Sequence, residues 1–191
     1  MKLRYIAAAC TLALAPTAAQ ANDFLGPRIG IVGGWDSVSH EIDEIDFDES
    51  TSGATFGIVT GYHFPLGEGA IFGIGTSTMF SSADKTFTSG ADTLEIEAKR
   101  DLEIHAKIGA IVAPSALIFA KVGYANAKVK ASGTIGGTDF SESETGSGLR
   151  LGVGTEILVG GPVSLTAEYR YSNYGSGFSR NQIVGGVLFS F

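Results

Sequence analysis

From Val163 to Ser172 the residues alternate without a slip. Val163, Leu165, Ala167, Tyr169 and Tyr171 fall on one parity, and Ser164, Thr166, Glu168, Arg170 and Ser172 on the other. A repeat of two is that of a strand whose faces meet different media. After a Gly/Ser/Asn-rich connection the pattern resumes, with Ile183, Gly185, Val187, Phe189 and Phe191 on one side and Gln182, Val184, Gly186, Leu188 and Ser190 on the other. An aromatic last residue on the apolar face is odd for a face in water, where chain ends are exposed and mobile, and natural for one in lipid.

Six earlier segments alternate in the same way: 28–36, 54–64, 70–80, 101–112, 116–125 and 149–158. Their apolar parities carry Ile29, Ile31 and Trp35; Phe56, Ile58, Tyr62 and Phe64; Phe72, Ile74 and Phe80; Leu102, Ile104 and Ile108; Ile118, Val122 and Tyr124; and Leu149, Leu151 and Val153. The connections run long, short, long, short, long, short and medium. Polar runs at 37–53, 81–98 and 126–146 read as loops, and Pro65–Gly69, Ala113–Ser115 and Gly160–Pro162 as tight turns. The pattern predicts an all-β chain: an eight-stranded antiparallel up-and-down transmembrane β-barrel, with short turns at the periplasmic rim and long loops outside. Closure pairs every backbone group, which lipid requires.

A soluble barrel of the lipocalin kind also alternates, but it turns its polar parity to water. Here that parity is rich in glycine, which suits a crowded lumen. Trp35, Tyr62, Phe64, Phe80, Tyr124, Tyr169, Tyr171 and Phe191 lie on the apolar parity near segment ends, the positions of a membrane girdle.

Residues 1–21 have a short basic start, an apolar stretch and an Ala19-Gln20-Ala21 site, the features of a cleaved export signal. Residues 22–191 would then form the barrel domain. Cys10 leaves with the signal, so no thiol chemistry is expected of the exported chain. The mature segment carries 11 Lys+Arg against 20 Asp+Glu, an acidic balance that disfavours nucleic acid as a partner. Glu41, Asp43, Glu44, Asp46, Asp48 and Glu49 crowd the first long loop but lack the spacing of a calcium-binding EF-hand, so no metal or cofactor is expected.

The run Glu168-Tyr169-Arg170-Tyr171-Ser172-Asn173-Tyr174-Gly175 and the last strand ending Gly186-Val187-Leu188-Phe189-Ser190-Phe191 carry a family resemblance. They resemble the small outer-membrane β-barrels of the opacity-type porin family, similar in build to OmpA- and OmpX-type barrels. The resemblance implies a Gram-negative outer-membrane location and a C-terminal strand read by the barrel assembly machinery. It leaves function open among surface-interaction or adhesin-like proteins, structural proteins, narrow channels and a few enzymes.

With the apolar parity outward, Arg28, Asp36, His63, Glu103, His105, Lys107, Lys121, Arg150, Glu156, Glu168 and Arg170 point into the lumen. An eight-stranded barrel is only wide enough for side chains to fill it, so these charges are expected to pair as an ion-pair network. Symmetry about Gly161 sets Glu168 opposite Gly154 and Arg170 opposite Gly152, glycines that leave room for long side chains to cross. The expected role is structural or surface-interacting through the extracellular loops, with a narrow passive channel as the alternative.

An enzyme is not expected. The outer-membrane lipid A deacylase carries His-x-Ser-Asn, and Tyr171-Ser172-Asn173 matches its end, but Arg170 stands where the histidine would be. Arginine does not act as a general base at neutral pH. Arg100, Lys128 and Lys130 fall on the lipid-facing parity beyond Ile104 and Tyr124, where they are candidates for lipopolysaccharide phosphates.

Overall fold

The computed structural model describes residues 24–40, 49–82, 84–89, 92–135, 137–174 and 178–191. The expected export signal and acidic residues 41–48 lie outside the described residues.

Nine strands make one antiparallel sheet: β1 (Gly26–His40), β2 (Glu49–Pro65), β3 (Ala70–Ser81), β4 (Asp84–Ser89), β5 (Asp92–Ala113), β6 (Ala116–Ile135), β7 (Thr138–Gly160), β8 (Val163–Asn173) and β9 (Phe178–Ser190). The order is β3-β2-β1-β9-β8-β7-β6-β5-β4, and β3 also pairs with β5 from Ala70↔Ala110 to Phe80↔Arg100. Eight strands therefore close a barrel, with β4 continuing the line of β3 along the outer part of β5. No helix among the described residues is long and apolar enough to cross a membrane; the crossing is made by strands.

Alternation decides the two faces. Ile31 is 67% exposed and its neighbour Val32 5%, because only the odd positions of β1 point away from the barrel. At the short-turn rim Gly67 and Gly69 adopt φ of 86° and 73°, in the left-handed region that favours glycine, and Gly161 closes the β7–β8 turn at 52°. The start of β1 and the last residue meet at this rim, where the Phe191 N–H donates to the Pro27 carbonyl at 3.0 Å.

The three polar runs expected as loops are in large part strand. Pairing reaches His40↔Glu49 between β1 and β2, Ser89↔Asp92 between β4 and β5, and Ile135↔Thr138 between β6 and β7. β5, β6 and β7 run for 22, 20 and 23 residues, about twice the 9–11 that cross a bilayer. Apolar alternation marks a strand only where one face is in lipid. Beyond the membrane both faces can be wet, and Thr- and Val-containing segments pair without that pattern.

Candidate functional site

The interior reads in three levels. At the outer level Arg150 is completely buried and donates to Asp101 Oδ2 at 2.6 Å, Glu103 Oε2 at 3.1 Å, Ser172 Oγ at 2.6 Å and Tyr174 Oη at 2.7 Å. Arg180 reaches the same Asp101 oxygen at 2.8 Å and holds Asp36 with two nitrogens, Nε donating to Oδ1 at 2.7 Å and Nη2 to Oδ2. The Ser81 hydroxyl also donates to Asp36 Oδ2 at 2.9 Å.

At the middle level Glu103 and Glu168 share Lys121, whose Nζ lies 2.8 Å from one and 2.6 Å from the other. Arg170 donates to Glu168 Oε2 at 3.0 Å, and His105 Nδ1 lies 3.2 Å from Glu103 Oε1. Nearest the short-turn rim, Glu156 takes Arg28 at 2.5 Å and Lys107 at 2.8 Å. Arg28 also donates to Ser164 Oγ at 2.9 Å. His63 Nδ1 sits between the Arg28 guanidinium and the Phe24 carbonyl, so each tautomer serves only one of the two.

Glycine makes the middle level possible. The register is Gly152↔Arg170 and Gly154↔Glu168. A Cβ on Gly152 would stand 2.6 Å from Glu168 Oε1 and 2.8 Å from Lys121 Cε, so any larger residue would displace the ion pair.

All eleven residues of the lumen set face inward. His105 and Lys107 keep the most exposure, 11% and 12% of their side chains. Two charges outside that set complete the network, Asp101 and Arg180. Asp101 already lies on the inward parity of the 101–112 segment, and carrying period two from Gln182 to Arg180 finds the other. Tyr174 lies beyond the end of β8, where no alternation announces it.

The inward parity is also less polar than the expected lumen. Val32, Met79 and Val184 form a buried apolar cluster with Val59 against it. Fully buried Phe24, Ile71 and Leu117, with Leu25, Ile111 and Leu158, fill the interior at the short-turn rim. Val32, Val59, Ile71, Met79, Leu117 and Val184 belong to the parity that notionally carries polarity. They face protein on every side, so apolar packing serves there as well as ion pairing.

The eight proposed girdle aromatics are outward and exposed, from 37% at Tyr62 to 69% at Phe191. Tyr62, Phe64 and Phe72 stack toward the short-turn rim, with centroids 4.5 Å and 6.3 Å apart, and Phe56 and Phe80 meet at 5.9 Å on the opposite side of the band. Arg100 pairs in register with Lys128 across a β-bulge, and both are exposed. Lys130 is half-buried, and its register partner on β5 is Glu97. Ser172 is buried, accepts from Arg150 Nε and faces away from lipid.

A closed antiparallel barrel with an apolar, aromatic-banded outer wall and an ion-paired interior defines a small integral protein of the bacterial outer membrane. The chain belongs to the outer membrane protein beta-barrel domain family, which matches residues 6–191. Among solved structures it is similar to Ail, the attachment invasion locus protein of Yersinia pestis, in complex with the heparin analogue sucrose octasulfate. The TM-score is 0.56 at 14% identity, covering 87% of this chain and all of that one. It is also similar to Neisserial surface protein A, with a TM-score of 0.55, 19% identity and coverage of 87% and 97%. At these identities the likeness is one of fold. Among curated protein sequences, none matches significantly.

Proposed function

We propose that this protein is a non-conducting, non-enzymatic outer-membrane barrel that acts at the cell surface through its extracellular strand extensions. The observation that carries the reading is the length of β5, β6 and β7, which continue as a paired sheet well past Asn173, the last residue of β8. A membrane anchor alone has no use for that sheet. Ordered pairing gives it a fixed surface on which a partner can register, at lower ordering cost than a loose loop.

A closed lumen is supported by the two interior seals, ion pairs across the middle and outer levels and apolar packing around Phe24 at the short-turn rim. The alternative, a narrow passive channel, needs a continuous water path through both.

Ail is the protein whose structure holds a sulfated polyanion. The outer sheet here carries Glu95, Asp139 and Glu142 among its exposed residues, so a polyanion is not the partner we assign to it. Arg100 and Lys128, lower on the same sheet at the edge of the apolar band, would instead hold lipopolysaccharide phosphates and fix the barrel's depth, with Lys130 contributing above them.

The test is made with the refolded mature chain in planar bilayers and with cells displaying it. No steady conductance is expected. Replacing residues 84–97 and 131–144 by short turns, which keeps Arg100, Lys128 and Lys130, is expected to abolish attachment of the cells to host-cell surfaces while heat-modifiable gel mobility is kept. Discrete conductance would establish the channel instead, and unchanged attachment would remove the surface role. Native mass spectrometry of the Arg100/Lys128/Lys130 triple alanine variant is expected to show reduced lipopolysaccharide carry-over; undiminished carry-over would dismiss that contact.

A further inference from the structure

The ion pairs account for most of the luminal charge but leave a remainder. Among the described luminal residues Arg28, Lys107, Lys121, Arg150, Arg170 and Arg180 face Asp36, Asp101, Glu103, Glu156 and Glu168, one positive charge in excess. The excess is concentrated at a small cavity of about 50 Å³ in the middle of the barrel. Its wall includes Arg28, Lys107, Lys121 and Arg170 but only two carboxylates, Glu156 and Glu168. Each of those carboxylates is already shared between two cations.

Arg170 carries the clearest deficit. It is 1% exposed, its Nη2 is spent on Glu168, and its Nε and Nη1 have no hydrogen-bond partner. The nearest further carboxylate oxygen, Glu103 Oε2, is 3.9 Å from Nη1, beyond hydrogen-bond reach. Arg28 Nε is likewise unpartnered. The acceptors near them are not in the same position, since Glu103 Oε1 and Glu168 Oε1 both lie against Lys121 Nζ, at 2.8 Å and 2.6 Å. Gln182, the register partner of Arg170 on β9, is also buried with both amide atoms unpartnered, but an amide is neutral. What the cavity lacks is therefore an acceptor that carries charge.

We propose that this cavity is a binding site for a single monovalent inorganic anion of halide size, held by the Arg170 guanidinium with Lys121, Lys107 and Arg28 around it. A buried charge left uncompensated is costly, and one bound anion would bring the described luminal charge to zero. Size limits the ligand, because one water needs about 10–15 Å³ of such space, so the cavity has room for a small ion with a few waters and not for a larger organic anion. Water would satisfy the free N–H groups but would leave the charge. The site does not depend on the surface role proposed above, and it is read by measurements that do not involve attachment.

The decisive measurement is diffraction at the bromine edge from crystals of the refolded mature barrel equilibrated in sodium bromide. An anomalous peak is expected in the cavity within hydrogen-bonding distance of Arg170. Bromide confined to the outer surface, with water density beside Arg170, would overturn the proposal. In solution the melting temperature of the wild-type barrel is expected to be several degrees higher in chloride than in gluconate at equal ionic strength. Arg170→Lys, which keeps the charge but removes the free guanidinium donors, is expected to lose most of that difference. Identical melting in the two salts for the wild type would count against the site even if the variant fails to fold. Planar-bilayer recordings in the same salts separate a trapped anion, which gives no current, from a permeating one, which would overturn the assignment of a binding site.

Discussion

The two halves of the lumen wall solve one packing problem in different ways. β5 to β8 contribute Asp101, Glu103, Lys107, Lys121, Arg150, Glu156, Glu168 and Arg170, eight of the eleven luminal charges. The other half, β9 and β1 to β3, contributes Arg28, Asp36 and Arg180, with Val32, Val59, Met79 and Val184 packed between them. Long charged side chains need space beyond their own strand, and glycines supply it. Gly123 on β6 would place a Cβ 3.2 Å from Glu103 Oε1, and Gly152 on β7 would place one 2.8 Å from Lys121 Cε. The charged half is held by electrostatic matching and the apolar half by volume, so the two should fail differently when altered.

The largest effect is expected from breaking the charged half at its hub. Arg150→Leu removes four hydrogen bonds and leaves Asp101 and Glu103 short of a cation in a site closed to solvent. Removing one partner of a buried pair costs about 3–5 kcal/mol, chiefly because the remaining charge stays buried. Equilibrium urea unfolding of the refolded barrel in lipid vesicles would measure it, and a loss under about 1 kcal/mol would mean that the outer level is hydrated enough to screen its charges.

That hub was partly legible in the sequence. Strict alternation from Val163 to Ser172 is enough to place Glu168 and Arg170 inside and to set them opposite Gly154 and Gly152, because a two-residue period and a tight turn fix the register. The same logic includes Asp101 at the edge of its segment, and reaches Arg180 only if it is carried past Ile183, where the pattern fades. Which cation meets which carboxylate was not legible. Arg180 and Asp36 are 144 residues apart, and their meeting depends on barrel closure and β1–β9 pairing. Sequence parity likewise does not reveal that Met79 and Val184 pack on each other inside, since it distinguishes inward from outward and not polar from apolar. The outer extensions of β5, β6 and β7 look like loops in the sequence for the related reason that alternation reports a lipid boundary rather than a strand.

The apolar half should yield less, and to a different substitution. Met79 is fully buried between Val32 and Val184. Met79→Ala leaves a cavity and is expected to cost about 2–3 kcal/mol, toward the lower end of the range for such truncations because the unbranched, adaptable Met side chain tolerates substitution. Met79→Leu, which keeps the volume, should cost less than about 1.5 kcal/mol. The same urea titration checks both. Equal losses for the two variants would mean that this half depends on something specific to methionine and not on filled space, and the contrast between the halves would fall.

The smallest expected effect lies on the other side of the wall, where polarity faces lipid. Thr60 and Thr76 point outward from β2 and β3, are register partners, and join their hydroxyls at 2.9 Å. One hydroxyl donates to the other, so the pair carries a single leftover donor into the apolar band. Thr60→Val removes one hydroxyl and strands its partner, which can still turn its proton to a nearby carbonyl. The expected cost is about 0.2–1 kcal/mol, the usual worth of a cross-strand pair. Replacing both threonines by valine should recover most of that loss, because no donor is then left unpaired in lipid. A double variant as destabilised as the sum of the singles would show that the hydroxyls have partners besides each other, and would bring the outer wall closer to the networked interior than its alternating sequence implies.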